Sequence, residues 1–560
     1  MEAKDEVGMH NMQASTRVSI CVISVIYPIS HSRIRLTSFR IRKIKCDEAK
    51  PHCKRCTSTG RKCDGYALSP PSAQTYEIVY TPRVSPLASL KATFHFETRE
   101  EQEAFHFYQC HAAAELAGCL DATFWEVEIP RLCSVVPAVR HAVIGLATMH
   151  RKFIVGTAPV VPEDYTDKQV RLALHHANRA IHEIAWGPTT KSIKNKINIM
   201  AICILFKCIA SMQGHQVTAL QHLRNGLRIL REVDAQMDTE HIDIGHHAVS
   251  LDTLRSLFLN MDGQVLRILS DQHMDSWEPQ PKRYLATLDM SIKTIAQARY
   301  YIEATFIDML AYGRDTDLRP PKTQEELDAL REEFRRLRQQ FEKCTTILNK
   351  FLADPSISPD DEAVLRIQII HTQANAFIKT FKEYDPFKGR EILHIDEEDH
   401  VLLTNLVARL LKAPSDLTLP HGNPADYFGT KATKSITVLA PPSFSSGSGM
   451  LASLWLVTSR TRDPVLRRRA IGMLLYYPRR EGAWDSVLAA RLAWEIMLLE
   501  EAGSDGDFYV EAQRARTIKD CNRIRDVDIR YTGLRTASVE FRTVAEYEAG
   551  TSGVVRHLAW

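Results

Sequence analysis

Arg40-Ile-Arg-Lys-Ile-Lys-Cys-Asp-Glu-Ala-Lys-Pro-His-Cys-Lys-Arg-Cys-Thr-Ser-Thr-Gly-Arg-Lys-Cys-Asp-Gly-Tyr66 sets four cysteines among closely spaced basic residues. Cys46, Cys53, Cys56 and Cys63 follow a C-x6-C-x2-C-x6-C spacing. Thiolates gathered this closely by short loops are what a tetrahedral zinc site requires, so these four are the candidate metal ligands. Pro51 breaks the stretch and Gly60 ends its second basic run, a pattern that predicts two short helices joined by a proline turn. Arg40, Arg42, Lys43 and Lys45 crowd the first of these helices, a density of like charge that a polyanion must neutralise. From His31 to Tyr66 there are 11 Lys+Arg against 3 Asp+Glu, a net of +8, while the whole chain carries +3, which leaves −5 for the rest. The excess positive charge sits in one small module attached to a mildly acidic body, the footprint of a nucleic-acid-binding module whose expected partner is double-stranded DNA.

At these residues the chain resembles the fungal Zn₂Cys₆ binuclear-cluster transcription factors, whose pattern runs C-x2-C-x6-C, a proline loop, then C-x2-C-x6-C. Arg40-x-Arg42-Lys43-x-Lys45-Cys46-Asp47-Glu48, Pro51-x-Cys53-x-x-Cys56 and Gly60-x-x-Cys63-x-Gly65-Tyr66 reproduce the third to sixth cysteines and the basic helix. The first two family cysteines would fall at 36 and 39, where this chain has Leu36 and Phe39. In the family the first and fourth cysteines bridge two zinc ions, and Cys53 corresponds to the fourth, so losing two ligands removes one metal. Three readings follow: a single zinc on the four remaining cysteines, a degenerate finger without metal, or a six-cysteine finger whose first exon is wrongly joined in this sequence. Agreement at every later position favours the third.

The resemblance implies a nuclear, zinc-dependent, sequence-specific regulator of RNA polymerase II genes, often over a metabolic gene cluster, with a preference for CGG-type triplets. Arginine and lysine suit guanine because its O6 and N7 both accept, so Arg42 and Lys43 are expected on base edges and Arg40 and Lys45 mainly on phosphates. The alternative is a helical interaction or ligand-sensing protein whose finger has decayed and which does not bind DNA itself.

Before the motif, Arg17-Val-Ser-Ile-Cys-Val-Ile-Ser-Val-Ile-Tyr-Pro-Ile-Ser30 is apolar and unpatterned and reads like translated intron, so residues 1–39 are expected to be poorly ordered. This run is shorter than the roughly 20 residues of a membrane span. The chain begins with Glu2, Asp5 and Glu6, where a signal peptide would be basic, so neither secretion nor a membrane is expected. After the 40–66 finger, residues 67–96 carry Pro70, Pro71, Pro82 and Pro86 without heptads and read as a disordered linker that cannot form a dimerising coiled coil. The 560 residues, 44% hydrophobic and 25% charged, are ordinary for globular protein and imply about two to four domains. Cys21, Cys110, Cys119, Cys133, Cys203, Cys208, Cys344 and Cys521 are scattered, mostly in apolar helical contexts, and read as buried free thiols in a reducing compartment.

From 97 to 560 the pattern predicts a large all-helical regulatory domain, which makes the chain mainly α. Phe105, Tyr108, Ala112 and Leu116 share one helical face, Pro137 opens a second amphipathic helix, and Ile197 to Met212 is apolar nearly all round, the mark of a central buried helix. Trp125 with Pro137-Ala-Val-x-His-Ala142, Ala173-Leu-x-His-x-x-x-Ala-Ile181 and Ala219-Leu-x-His-Leu-x-x-Gly-Leu-Arg-Ile-Leu230 resemble the regulatory domain that follows the finger in the same family, and their residue types indicate core packing. Thr323 and Glu326 form a capping box ahead of a heptad seam, Leu327, Leu330, Phe334, Leu337, Phe341, Cys344, Leu348 and Phe351. Phenylalanine recurring in the seam suits a groove inside a helical domain better than an intermolecular coil. If the body does self-associate as a homodimer, this seam is the first candidate.

Residues 413–449, rich in Pro, Gly and Ser, predict a long surface loop. Ser446-Gly-Ser-Gly449 lacks the first glycine and the preceding strand of a nucleophile elbow. His241, His246 and His247 lack metal-ligand spacing and predict a solvated turn. The expectation is therefore no enzyme, with zinc as the cofactor and a homodimer and a small-molecule effector as the further partners such a body admits.

Overall fold

The structure, a computed structural model, describes residues 96–560 apart from 119–121, 157, 187–191, 240–246, 266–291, 319–320, 382–396, 430–431, 448 and 503–517. Residues 1–39, the four-cysteine stretch and the linker up to residue 95 lie outside the described residues, as do Cys119, His241 and His246.

The described part is mainly α, and its helices start where the sequence supplies start signals. The Thr98 side chain accepts from the Glu101 N–H and opens Arg99–Phe107. A π-helical turn, Tyr108–Ala112, then carries the chain into Ala113–Ala117. Phe105, Tyr108, Ala112 and Leu116 are all buried along this run, as their spacing predicts. Pro137 occupies the first turn of Pro137–Ile154, which packs against Lys168–Trp186. Gly145 allows that approach, since a Cβ there would sit 3.0 Å from the Ala173 carbonyl oxygen. Ile193–Met212 runs through the middle of this bundle. Among the described residues it is the one helix long and apolar enough to cross a membrane, yet 78% of its apolar window is buried inside the protein, as a core helix requires.

Gln216–Thr239 and Leu251–Val265 follow, and here Gly226 acquires a reason: a Cβ at this position would overlap the ring of Phe258, which is fully buried. Farther on, both halves of the Thr323–Glu326 capping box form ahead of Gln324–Leu352. The seam is internal. Phe341, Cys344 and Leu348 share a core with Ile302 and Phe306 of Ile295–Leu318 and with Ile367, Ile370 and Ile378 of Glu362–Phe381.

A second core joins Glu397–Leu411, Leu451–Arg460, Pro464–Tyr476 and Ser486–Ala502, with Trp494 at its centre. The expected surface loop over 413–449 needs correcting at its end. Ser443–Ser445 is a strand, β1, parallel to β2 (Arg479–Glu481), which pairs antiparallel with β3 (Trp484–Asp485). Phe444, Ser445 and Ser446 are buried, because β2 and a helix terminus satisfy backbone groups that the composition alone would assign to water.

The expectation of helix to the end of the chain is also corrected. Ile524–Gly533 (β4), Thr536–Thr543 (β5) and Val554–Ala559 (β6) form an antiparallel sheet in the order β4-β5-β6. Ala537, Val539 and Phe541 alternate inward onto Leu488, Leu492 and Ile496. The signal was hidden for two reasons. Arg525, Asp526, Asp528 and Arg530 load β4 with charge and a register shift interrupts its alternation. The hairpin turn is Leu534-Arg535, with Arg535 at φ 56°, so it lacks the Gly or Asn that usually betrays such a turn.

Candidate functional site

The candidate ligands Cys46, Cys53, Cys56 and Cys63 and the candidate DNA-binding residues Arg40, Arg42, Lys43 and Lys45 all lie outside the described residues. What fits zinc is the donor set itself: four thiols within eighteen residues, each a soft ligand, in a run rich in lysine and arginine that favours the thiolate. The cysteines of the body offer the opposite environment. Cys133, Cys203, Cys208 and Cys344 are buried and free, and burial pushes the thiol of Cys203 up to about 12 and those of Cys208 and Cys344 up to about 11. Cys110 is half-buried and Cys521 exposed, so the expectation of buried thiols holds for four of the six. Among the described residues no group of three or more His, Cys, Asp or Glu is placed to hold a metal.

Two of the three motif histidines of the body, His141 and His176, meet in its core. His141 Nδ1 lies 3.0 Å from His176 Nδ1, and Glu101 approaches His176 Nε2 at 3.6 Å. Burial holds both imidazoles down at about 4, so the pair is neutral at physiological pH. Next to them Arg179 binds the Glu97 carboxylate through two N–H groups, each at 2.8 Å. His150, also buried, lies 3.1 Å from the Glu115 carboxylate, whose other oxygen accepts from the Phe444 N–H at 3.0 Å. His141, His176 and His150 thus join helices, while the third motif histidine, His222, is buried in the core.

Ser446, the described serine of the Ser446-Gly-Ser-Gly449 stretch, is engaged in the same way. Its hydroxyl and its N–H both donate to the Leu116 carbonyl, at 2.8 and 2.9 Å, and the side chain is fully buried. His247 bonds Asn198 and the backbone of Val249. It fixes a turn, and is half-buried where a solvated one was expected.

Glu481 is a residue that sequence reasoning missed. From β2 its buried carboxylate accepts the N–H groups of Gly449, Met450 and Leu451 at 2.9, 3.2 and 2.9 Å, which seats the start of Leu451–Arg460 on a negative charge. The carboxylate comes from thirty residues downstream, so no local capping pattern announces it.

Residues 40–72 match the profile of the fungal Zn(2)-Cys(6) binuclear cluster domain. The match begins just past positions 36 and 39, where the first two cysteines of the pattern are replaced. The chain is similar to the aspercryptin biosynthesis cluster-specific transcription regulator atnN of Emericella nidulans, 26% identical over 563 residues that cover 87% of this chain and 90% of the relative. It is similar over shorter spans to the transcription regulator lscL of Purpureocillium lilacinum, 26% identical over 37% of this chain and 52% of the relative. The Zn(2)-C6 fungal-type transcription factor afumD of Aspergillus fumigatus is 23% identical over 39% of this chain and 57% of its own length. No solved structure matches the chain.

Proposed function

We propose, for a chain that belongs by its residues 40–72 to the fungal Zn(2)-Cys(6) binuclear cluster family, that it is a nuclear regulator of RNA polymerase II genes controlling a metabolic gene cluster. That it is a DNA-binding transcription regulator with a zinc-binding domain follows from the family; the gene class and compartment are our reading. The observation that carries this reading is the basic four-cysteine stretch, at the head of a chain alignable along 87% of its length with a cluster-specific regulator.

In this reading residues 40–66 are the finger, 67–96 the linker and 97–560 the regulatory body. Cys46, Cys53, Cys56 and Cys63 hold zinc, which when bound cross-links a segment too short to build a core of its own. Arg42 and Lys43 reach guanine edges of CGG-type triplets in the major groove, while Arg40 and Lys45 hold phosphates. A single finger discriminates poorly, since each good base contact contributes about 1–3 kcal/mol. A homodimer or a partner protein therefore adds affinity. The Leu327–Phe351 seam offers little surface for this, because Leu327, Leu337, Phe341, Cys344 and Leu348 are buried inside the body.

The test uses the full chain, with zinc measured in the purified protein and binding measured to duplexes with one, two or no CGG triplets. Binding to CGG duplexes that is lost on chelation supports the reading. Arg42→Ala should then weaken CGG binding by about 1–3 kcal/mol and relax specificity, whereas Lys45→Ala should weaken all duplexes alike and reduce the salt slope by about one. A chain carrying Leu36→Cys and Phe39→Cys is expected to bind two zinc ions and more DNA than the parent. If neither chain binds zinc or DNA, the proposed function is wrong.

A further inference from the structure

Between the C-terminal sheet and the second helical core lies a cavity of about 190 Å³. Leu488, Ala489, Leu492 and Ile496 of Ser486–Ala502 form its floor, Trp455 and Trp484 one wall, and Ile524, Val527, Ile529 and Tyr531 of β4 its roof. The two indoles stand 6.0 Å apart, inclined at 51°, which makes this wall aromatic. The residues of β4 that line it are half-buried except for Ile524, which makes the sheet its accessible side.

The acidic groups around this cavity are already paired, and its basic groups are held by bonds of their own. Asp485 Oδ2 accepts from Arg480 at 2.7 Å and from the Trp560 indole at 3.1 Å, and its Oδ1 accepts from the Val487 N–H at 2.9 Å. Asp526 binds Arg542, and Arg525 lies 4.1 Å over the Tyr547 ring with Glu548 at 3.8 Å. Arg460 donates to the Ile524 carbonyl and the Ser459 hydroxyl to the Trp455 carbonyl. One donor in the lining is left over. Trp484 is 94% buried by its 6% exposure, and its Nε1–H has no acceptor. A buried N–H without a partner is costly, and buried indoles ordinarily find one.

We propose that this cavity binds a small, neutral aromatic molecule carrying one hydrogen-bond acceptor, such as an aryl ketone or aryl amide, whose carbonyl takes the Trp484 Nε1–H. Size agrees, since an apolar cavity of about 150 Å³ accommodates benzene, and about 190 Å³ admits a ring with a short carbonyl substituent. Charge agrees too: an ammonium would find Asp485 and Asp526 already paired, and a carboxylate would find Arg525 beside Glu548 and Arg460 bonded to the Ile524 carbonyl. The roof strand also reaches beyond the cavity, because Leu534 at the β4–β5 turn packs beside Gly214 and Val160 of the N-terminal bundle. A ligand under β4 would therefore stabilise the sheet and, through it, that contact.

The test is calorimetric titration of the purified full chain with acetophenone and benzamide, against toluene, benzoate and benzylamine. Acetophenone and benzamide are expected to bind saturably with quenching of tryptophan fluorescence, and the two charged compounds at least tenfold more weakly. Trp484→Phe should weaken acetophenone about fivefold, the loss of one hydrogen bond, and leave toluene unchanged. Ala489→Phe should abolish binding of all three neutral compounds. Only a variant with the parent's cooperative melting transition is read, and Leu488→Phe replaces Ala489→Phe where that one fails to melt cooperatively. Absence of saturable acetophenone binding at millimolar concentration, or binding unaffected by both Trp484→Phe and the cavity-filling change, overturns the proposal. DNA is absent from these measurements, so their outcome is separate from that of the DNA-binding test.

Discussion

His222 is 1% exposed on Gln216–Thr239, with the Phe206 ring 5.6 Å away, and neither of its ring nitrogens has a hydrogen-bond partner. Burial holds its pKa down at about 4, against an ordinary 6.5. Between those values the unfolded chain binds a proton that the fold refuses, so stability falls as pH drops through this window and is level above it. At about 1.36 kcal/mol per pH unit, one such histidine lowers stability by roughly 2 kcal/mol between pH 6.5 and 5. His222→Leu is expected to remove that loss and leave neutral-pH stability unchanged or higher, as read from urea unfolding at pH 7 and pH 5. An unchanged difference between the two pH values would contradict the burial argument. His141 and His176, also lowered to about 4, push in the same direction, so the body as a whole should be acid-sensitive below pH 6.5.

Among elements, the helix Leu451–Arg460 shows how far a cap can be from the helix it serves. Met450 offers no side-chain cap, and the orphan N–H groups of the first turn go to the Glu481 carboxylate of β2, with Arg479 Nε 3.0 Å from the same group. Glu481→Ala would leave three buried N–H groups without an acceptor, for a loss of about 3 kcal/mol. Its midpoint of unfolding checks this; a shift under about 1 kcal/mol would mean that water replaces the carboxylate. The Gln324–Leu352 helix is the contrasting case. Its capping box, Thr323 with Glu326, and its seam are both written in one continuous segment, and both form as that segment predicts. Which partner the seam would meet was not written there, since a stripe of Leu and Phe fits a neighbouring helix of the same chain or of another equally well. Ile295–Leu318 and Glu362–Phe381 take that place.

At the scale of the described body, one buried carboxylate joins the C-terminal sheet to the helices. Glu500, fully buried, accepts from Arg467 of Pro464–Tyr476 at 2.8 Å and from the Ile524 N–H that starts β4 at 2.9 Å, with Arg523 Nε at 3.3 Å. Arg523 in turn donates to the Arg460 carbonyl, and Arg460 to the Ile524 carbonyl. Removing one member of a buried ionic network leaves the others uncompensated, so Glu500→Gln should destabilise by about 3–5 kcal/mol. Hydrogen exchange should rise first in β4 and β5, where the sheet is held. If exchange rises evenly over all helices instead, Glu500 stabilises the second core and does not specifically hold the sheet.

The sequence by itself determined the elements whose signals are local: the zinc-type cysteine spacing and charge of residues 40–66, the buried Ile193–Met212 helix, the proline start of Pro137–Ile154 and the cap of Gln324–Leu352. In each, residues a few positions apart meet on one face or at one terminus, and the chain's period alone brings them together. Only the tertiary structure decided that 443–446 is buried, that 524–559 is a sheet and that an aromatic cavity lies beneath it. Those features depend on Glu481, Glu500 and the Leu534-Arg535 turn meeting groups from elsewhere in the chain. A carboxylate thirty residues from the N–H groups it caps leaves no period to read, and the alternation of Ala537, Val539 and Phe541 is by itself too short to argue a sheet.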